Sequence, residues 1–489
     1  MADVVVVGSG PNGLAAAVIL ARAGLAVEVY EAEATAGGGS RTAELTLPGY
    51  RHDVCAGAHP MAAAAPLFRA FDLTAHGVEL LAPEVSYAHP LDGGVAGLAW
   101  RDLERTVDDL GPDGPAWREL FAPLVRHWPD VVDLAMSDLR RIPSGLATSI
   151  RFGLRTLEQG SPLWNIRFRD QVAPALLTGI ATHAIIPPRA ITAAGAALLL
   201  GTLAHVGGWV IPRGGSQAIP DALIAELERL GGRVHTGHRV DSIDEFACAR
   251  AVLLDLAPAE LLRIAGHRLP ARYAKRLRRF RYGGAACKID FALSGPVPWR
   301  ADGCELAGTV HVIGTRAEAM AAEHAVAMGK HAERPYVLSI QPGVVDPTRA
   351  PAGGHTFYTY AHVPNGSTRD VSEEVIGQVE RFAPGFRDLI VAKNVITAAE
   401  MPAHNANYIG GDISAGAMTL RQFAFRPAPR WNPYATPIPG VYLCSSATPP
   451  GPGVHGMCGL HAARHALHDR FDVRTDPLDL LRAPAVQHR

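Results

Sequence analysis

The sequence of 489 residues predicts an α/β protein in which a dinucleotide-binding domain with a parallel sheet is interleaved with an α+β domain. Three observations predict this fold class. A buried strand runs into a G-x-G-x-x-G turn near the N-terminus, a second glycine-rich loop precedes a helix near the C-terminus, and further strand patterns lie between them. The chain is also longer than a typical single domain, so two or more lobes are expected.

The first element is the strand Val4–Val7, whose β-branched residues suit a strand that is covered on both faces. In the turn that follows, Gly8 permits the tight bend and Gly10 lets a diphosphate approach the backbone. Gly13 lets the next helix pack closely against the strand. The order of these features predicts a Rossmann-type unit.

The next elements continue this unit. A helix with apolar residues at helical spacing ends near Gly24, and a second strand, Ala26–Tyr30, leads directly to Glu31. An acidic residue at this distance from the glycines is placed to hold a ribose hydroxyl. A further glycine run precedes Ser40 and Arg41, where backbone N–H groups and a guanidinium are expected to contact phosphate.

The composition indicates an ordinary globular protein and excludes some partners. The hydrophobic fraction is 48%, the charged fraction is 19% and the net charge is −1, so nucleic-acid binding is not expected. None of the six cysteines has the spacing of a zinc site, and we expect no metal. No signal peptide or clean membrane span is evident, which predicts a cytoplasmic protein with reduced thiols. The apolar segment 190–203 is read as a buried helix, or as a tunnel wall or lipid-contacting patch.

The middle of the chain alternates between the two kinds of domain. Helical patterns predict a cap over residues 71–205. Residues 207–245 return to the parallel sheet with a helix at 218–230 and strands at 233–236 and at Val240, and a further buried strand is predicted at 251–255. A basic run at 272–281 is read as a solvated helix face or as a docking surface for anionic lipid. Strand patterns at 288–293, 336–340 and 356–363 predict an antiparallel sheet beneath the cap.

The C-terminal part brings the chain back to the parallel sheet. A strand over Gly440–Cys444 is followed by a glycine- and proline-rich loop and by a helix over 458–467, so the chain both begins and ends with a dinucleotide-binding loop. The predicted dinucleotide domain comprises residues 1–70, 206–271 and 430–474. The predicted substrate domain comprises 71–205 and 272–429, and residues 475–489 are expected to form a loosely ordered tail.

Two groups of motifs resemble a known family. Gly37–Arg41, Pro48–Tyr50 and Asp53 resemble the second glycine motif of the amine-oxidase-type flavoproteins. The more specific segments resemble the phytoene-desaturase-like branch of that superfamily, which includes the pyridine nucleotide-disulfide oxidoreductase domain-containing proteins; they are Asn407–Asp412, Leu420–Phe423, Arg426-Pro427 and the loop Thr448–Gly459. The resemblance covers nearly the whole chain. It implies a Rossmann-type FAD-binding domain and FAD as the cofactor. The cysteine pattern of a covalent flavin link is not evident, so we expect non-covalent FAD.

The resemblance also implies which residues contact FAD. The glycines of the first turn would lie under the diphosphate, and the C-terminal loop would meet the isoalloxazine ring, where a helix N-terminus stabilises negative charge. Where many flavoproteins place an acidic residue for the ribityl chain, this sequence has Ser445-Ser446, whose hydroxyls can still bond to it. The implied contacts are Gly8, Gly10, Pro11, Asn12, Gly13, Glu31, Ala32, Gly38, Gly39, Ser40, Arg41, Val240, Ser446, Gly453, Val454, His455, Gly456 and Met457.

Two residues are candidates for catalysis. In the amine oxidases a strand lysine followed by a tryptophan holds a water near flavin N5, and Lys288 followed by Trp299 resembles that arrangement. The alternative is a strand lysine with its ammonium in solvent. His455 is placed to transfer protons next to the flavin, or else to bond to the loop backbone.

The predicted function is that of an FAD-dependent oxidoreductase, in which hydride passes from a C–H bond of a hydrophobic substrate to flavin N5. The branch that the sequence resembles implies desaturation or isomerisation of a polyene or isoprenoid. The alternatives are a flavin amine oxidase and a non-redox, prenyl-binding escort protein of the same fold. Without a second nucleotide fingerprint, the expected electron acceptor is oxygen or a quinone. Peripheral contact with a membrane is left open.

Overall fold

The computed structural model describes residues 2–138 and 141–483, which form two main sheets and a layer of helices. The strands are β1 Val4–Val7, β2 Val27–Tyr30, β3 Thr42–Ala43, β4 His52–Asp53, β5 Leu80–Leu81, β6 Val85–Leu91, β7 Val95–Trp100, β8 Ile211–Pro212, β9 Arg233–His235, β10 Ala251–Leu254, β11 Ala285–Leu293, β12 Ala307–Val312, β13 Val337–Ile340, β14 His355–Val363, β15 Ile390–Ile396 and β16 Val441–Leu443.

The α-helices of the same residues lie between these strands or cover them. They are α1 Pro11–Arg22, α2 Pro60–Ala64, α3 Pro66–Phe71, α4 Leu103–Asp109, α5 Gly114–Arg126, α6 Trp128–Met136, α7 Leu146–Gln159, α8 Val172–Ala181, α9 Ile191–Val206, α10 Ala218–Arg229, α11 Pro258–Ala265, α12 Ala271–Arg278, α13 Arg316–Ala327, α14 Ser372–Phe382, α15 Met401–His404, α16 Leu420–Phe425, α17 Met457–Phe471 and α18 Pro477–Arg482.

The first sheet is parallel and has the strand order β16-β10-β1-β2-β9. Its central strand, β1, is fully buried, as four consecutive valines require. Helix α1 packs between this sheet and helices α10 and α17. Strands from both ends of the chain therefore share one sheet, and the predicted α/β fold class is confirmed.

One strand of the predicted parallel sheet is absent. Val240 is buried but lies in a loop, so the strand expected there is wrong. The reason is local: β9 ends at His235, and Gly237 adopts a φ of +68°, which turns the chain away from the sheet. The amide of His238 then donates to the carbonyl of Glu31, so the loop crosses the end of β2.

The second sheet is mixed and has the order β15-β11-β14-β13-β12-β6-β7. Its neighbours are antiparallel except for β12 and β6, which are parallel. The predicted antiparallel sheet is present, but it also includes two strands from the segment 71–205, where helical patterns predicted a cap, and one parallel pair. The hairpin β6–β7 lies within that segment, and the long connection from β6 to β12 permits parallel pairing.

The helical layer and the C-terminus complete the fold. Helix α9 is largely buried and packs against α5, α7 and α8, as expected for a buried helix near residues 190–203. Residues 475–483 were expected to be loosely ordered, but they include helix α18, which buries Leu481 and packs on α3. Residues 484–489 lie outside the described residues.

The two sheets draw on alternating parts of the chain. The parallel sheet uses residues 4–30, 233–254 and 441–443, and the mixed sheet uses residues 85–100 and 285–396. The exact domain limits stay a prediction. Over residues 2–138 and 141–483, none of the helices has the length and apolar character needed to cross a bilayer.

Candidate active site

A cavity of about 820 Å³ runs from the parallel sheet to the helical layer. At one end its wall is formed by the loops that follow β1, β2, β10 and β16, which meet because parallel strands end at the same edge. At the other end it is lined by residues of α7, α9 and α16. We call these the dinucleotide end and the helical end.

The glycines of the first loop are required by close contacts. A Cβ on Gly10 would lie 2.5 Å from Oδ2 of Asp255, and a Cβ on Gly38 would lie 2.9 Å from the Cα of Gly10. Gly8 has a φ of +95°, which side-chain-bearing residues rarely adopt. The backbone of three loops therefore forms one narrow cradle at the dinucleotide end.

Two polar side chains of the cradle have atoms without protein partners. Within the described part of the chain, Oδ1 of Asn12 and Oγ of Ser40 are buried and make no hydrogen bond. Both residues line the cavity. Because buried polar groups are nearly always satisfied, these atoms fit a polar ligand such as a dinucleotide. The side-chain Nδ2 of Asn12 also donates to Oγ of Ser446 at 3.3 Å, and this hydrogen bond joins the first loop to the last.

Glu31 is oriented by backbone donors. Its carboxylate accepts from the amides of Ser9 and Glu33, both at 2.9 Å, and the side chain lines the cavity with Ala32 and Val240. The guanidinium of Arg41 donates to the carbonyl of Gly38 at 3.0 Å and lines the same end. Most of the predicted FAD contacts therefore line one cavity. Besides Glu31, Ala32, Val240, Gly38 and Arg41, they are Gly8, Gly10, Pro11, Asn12, Gly39, Ser40, Ser446, Gly453 and Val454.

Four predicted contacts lie behind the cavity wall: Gly13, His455, Gly456 and Met457 are buried but do not line it. In His455, Nδ1 accepts from the amide of Met457 at 3.0 Å, and Nε2 lies 3.1 Å from the carbonyl of Gly451. Burial lowers the pKa of His455 to about 4, so the ring is neutral. The geometry matches the alternative in which this histidine bonds to the backbone and caps α17.

Lys288 is also away from the cavity wall. Its side chain is buried, and its ammonium binds both carboxylate oxygens of Asp290 and lies 4.3 Å from the ring centre of Tyr358. Tyr358 lines the cavity, but Lys288 does not. The alternative of an ammonium in solvent is therefore wrong, whereas a role of Lys288 beside the flavin stays a prediction. Trp299 packs on Phe357 in the cluster on the opposite face of the sheet.

A buried polar network surrounds this ion pair. Nδ1 of His52 lies 3.6 Å from Asp290, and Asp53 pairs with Arg349 at 2.7 Å. Burial raises the pKa of Asp290 to about 6 although Lys288 opposes the shift, and burial with the charge of Lys288 lowers that of His52 to about 3. No motif in the sequence predicted this network.

Asp255 is another site residue that was not predicted from the sequence. It follows β10, lines the cavity and accepts from the amide of Gly13 at 3.0 Å. Burial, with a smaller contribution from the charge of Glu31, raises the pKa of Asp255 to about 7. An available signal was its position at the end of a predicted strand next to β1, since loops at that edge meet the ligand.

The helical end differs in chemistry from the dinucleotide end. The carboxylates that line the cavity are Glu31, Glu33, Asp255 and Glu260, and the cations are Arg41, Arg239 and Arg263. All seven belong to the dinucleotide end, so among the described residues the helical end has no charged lining side chain. Its lining is mostly apolar and includes Phe152, Leu157, Ile191, Leu199, Leu200, Trp209, Met418 and Phe423.

The cysteines and metal-binding residue types add no further site. All six cysteines are free, and Cys55 lines the cavity, whereas Cys444 and Cys458 are buried behind it. Across the described ranges, 2–138 and 141–483, His, Cys, Asp and Glu side chains form no group that could hold a metal ion.

The sequence and the fold are similar to known proteins. The family model for flavin-containing amine oxidoreductases matches residues 12–466. Pyridine nucleotide-disulfide oxidoreductase domain-containing protein 2 of Rattus norvegicus is 26% identical over 96% of this chain and 93% of its own length. The neurosporene-forming phytoene desaturase of Rhodobacter capsulatus is 30% identical over 27% of this chain and 26% of its own length. An oxidoreductase of Methanosarcina mazei has the same fold, with a TM-score of 0.61, 18% identity and coverage of 93% of this chain and 97% of its own.

Proposed function

Because the chain belongs to the family of flavin-containing amine oxidoreductases, we propose that it is a phytoene-dehydrogenase-like enzyme that oxidises a hydrophobic polyene or isoprenoid. The chain is an FAD-dependent oxidoreductase, and FAD when bound supplies a hydride acceptor at N5. The cradle at the dinucleotide end fits this cofactor, since glycine backbone and the unpartnered oxygens of Asn12 and Ser40 line it. Non-covalent binding stays a prediction.

The observation that carries the proposal is the chemistry of the helical end. Its lining is mostly apolar and carries no charged side chain among the described residues. An uncharged, hydrophobic substrate loses little hydration there, whereas a charged one would be buried without a partner. The partial likeness to a phytoene desaturase supports the same substrate class. The chain's own part is to orient the substrate and to exclude water.

A flavin amine oxidase is the second candidate. Tyr358 and Tyr360 line the cavity, and their rings lie 6.1 Å apart and nearly perpendicular. Aromatic faces attract an ammonium group, so these residues favour an amine substrate. Lys288, which first suggested this alternative, does not reach the cavity.

Anaerobic mixing of the purified flavoprotein with candidate substrates tests the proposal. Neutral polyenes and isoprenoids are expected to bleach the flavin absorbance, and primary amines of similar size are not. Bleaching by amines alone would establish the second candidate instead. A colourless chain that stays colourless with added FAD would favour the escort-protein alternative.

The electron acceptor that we propose is oxygen or a quinone, because the sequence has no second nucleotide fingerprint. The location that we propose is the cytoplasm, because no signal peptide is evident.

A prediction concerns the buried carboxyl under the glycine cradle. Asp255→Asn is expected to be more stable than the parent protein at about pH 8 but not at about pH 4. The pKa of Asp255 is raised from an ordinary value near 4 to about 7, so the parent loses stability as pH rises between those values. The full difference is up to about 4 kcal/mol.

Denaturant unfolding of both proteins across this pH range measures the difference. The matched control is Glu228→Gln, which removes an exposed carboxylate from helix α10 and should leave the pH dependence unchanged. A constant difference between parent and Asp255→Asn at every pH would contradict the prediction.

A further inference from the structure

Helix α7 exposes an apolar face that no described residue covers. Leu146, Ile150, Leu154 and Leu157 are 59%, 56%, 62% and 54% exposed, and their spacing places them on one side of the helix. Leu163 and Ile166 in the next turn are 55% and 77% exposed. A contiguous apolar surface of this kind marks an interaction site.

Helix α16 continues this surface at the mouth of the cavity. Leu420 and Phe425 are 56% and 53% exposed, and both α16 and α7 pack against α9. Leu157 and Leu420 also line the cavity. We call the exposed apolar residues of α7, of the turn after it and of α16 the apolar rim. The rim therefore borders the opening of the helical end.

A cationic helix lies directly beside the rim. Helix α12 is tied to the α16 segment because the amide of Arg281 donates to Gln422 at 3.0 Å and the guanidinium of Arg276 donates to the carbonyl of Pro429 at 3.2 Å. The exposed long side chains of α12 and of Arg279 directly after it are cationic. In the described part of the chain no ion pair is formed by these five residues: Arg272, Lys275, Arg276, Arg278 and Arg279.

We propose that the apolar rim and helix α12 dock onto an anionic lipid bilayer, so that the cavity opens toward the membrane. The rim would enter the boundary between head groups and acyl chains, and the cations of α12 would bind the head groups. The inference rests on the proposed function, because a hydrophobic substrate partitions into a bilayer and would enter the helical end from it.

The charges favour a bilayer over a second copy of the chain. A symmetric dimer through this face would bring two sets of unpaired α12 cations toward each other. A bilayer instead supplies anionic groups beside an apolar layer, which is the combination that this face presents.

Sedimentation of the purified flavoprotein with lipid vesicles tests the proposal. Binding is expected to phosphatidylcholine vesicles that contain phosphatidylglycerol, and about ten-fold less to phosphatidylcholine alone. Raising the salt from about 0.1 M to about 1 M should weaken the binding. Equal binding to both vesicle types, or none to either, would overturn the proposal.

Variants locate the surface. Ile150→Ser with Leu154→Ser, and separately Arg278→Gln with Arg279→Gln, are each expected to lower vesicle binding about ten-fold or more. The matched control is Met328→Ser with Val391→Ser, two residues that are 63% and 55% exposed on other elements. All variants should keep the parent flavin absorbance, which confirms folding. Unchanged binding by both rim and α12 variants would rule out this surface.

Two further readouts separate the possible failures. Size-exclusion chromatography would reveal a dimer that the rim variants dissociate, in which case a second copy covers the rim and the proposal fails. Flavin bleaching by a detergent-dispersed polyene tests the proposed function without vesicles. Bleaching without vesicle binding overturns the docking alone, whereas vesicle binding without bleaching by any polyene or isoprenoid overturns the substrate assignment alone.

Discussion

Asp290→Ala is expected to lower the free energy of unfolding by about 3–5 kcal/mol. The carboxylate of Asp290 is the partner of the Lys288 ammonium, and both side chains are buried in the mixed sheet. Removing it leaves an ammonium in a site that solvent does not reach. Such a loss is a large share of the stability of a typical domain. Denaturant unfolding followed by circular dichroism measures it.

Matched variants separate the ion pair from the rest of the site. Lys288→Met is expected to cost less, because the remaining carboxyl of Asp290 already has a raised pKa and can be buried in its neutral form. Lys288→Met combined with Asp290→Leu should recover much of the loss of Asp290→Ala. A loss below about 1 kcal/mol for Asp290→Ala would contradict the buried-pair interpretation.

The same lysine variant tests the catalytic prediction. If Lys288 is a structural partner of Asp290, flavin reoxidation by oxygen in Lys288→Met should proceed at the parent rate. If reoxidation slows strongly while stability and flavin content stay near the parent values, the ammonium acts on the flavin through Tyr358 or a bound water. The stopped-flow reoxidation rate therefore distinguishes the two roles.

Gly459→Ala is expected to weaken FAD binding about 100-fold or more, equivalent to about 3 kcal/mol. A Cβ at this position in α17 would overlap the backbone carbonyl of Asn12 in α1, and backbone cannot rotate away as a side chain can. The two helices must then separate, which moves the first and last loops of the cradle apart. The ratio of flavin to protein absorbance and an FAD titration measure the effect.

Gly377→Ala is the matched control for this substitution. Gly377 is an exposed residue of helix α14, and a Cβ there would meet nothing within 4 Å. The control should retain full flavin and gain a small amount of helix stability. If both variants keep the parent flavin content, close contact between α1 and α17 is not needed to bind FAD.

The sequence predicted those parts of the site that local geometry determines. The glycine turn, Glu31 and the loop Gly38–Arg41 follow from rules about which residues allow a backbone to approach a ligand, and all of them line the cavity except Gly13. The C-terminal loop was found in the same way. The fold class followed because strand and helix periods were clear in these segments.

Other features depended on neighbours that are distant in sequence. The two-residue spacing of Lys288 and Asp290 predicts one face of a strand, but only the packed sheet shows that this face is buried. The sequence left open whether His455 transfers protons beside the flavin or bonds to the loop backbone, and only the folded loop shows its ring accepting from the amide of Met457. The pairing of β6 with β12 joins residues more than 200 positions apart, which no local pattern encodes.

The strand order of the parallel sheet has a consequence for how the enzyme acquires its cofactor. Strand β1 and the glycine turn are synthesised before neighbouring β10, which ends at Leu254, and long before the closing helix α17, which begins at Met457. At about 5–20 residues per second, more than 400 residues separate the two halves by about 20–90 s of translation. The nascent N-terminal segment therefore lacks the C-terminal part of the cradle, and we expect a complete FAD site only after β16 and the loop that follows it have been synthesised.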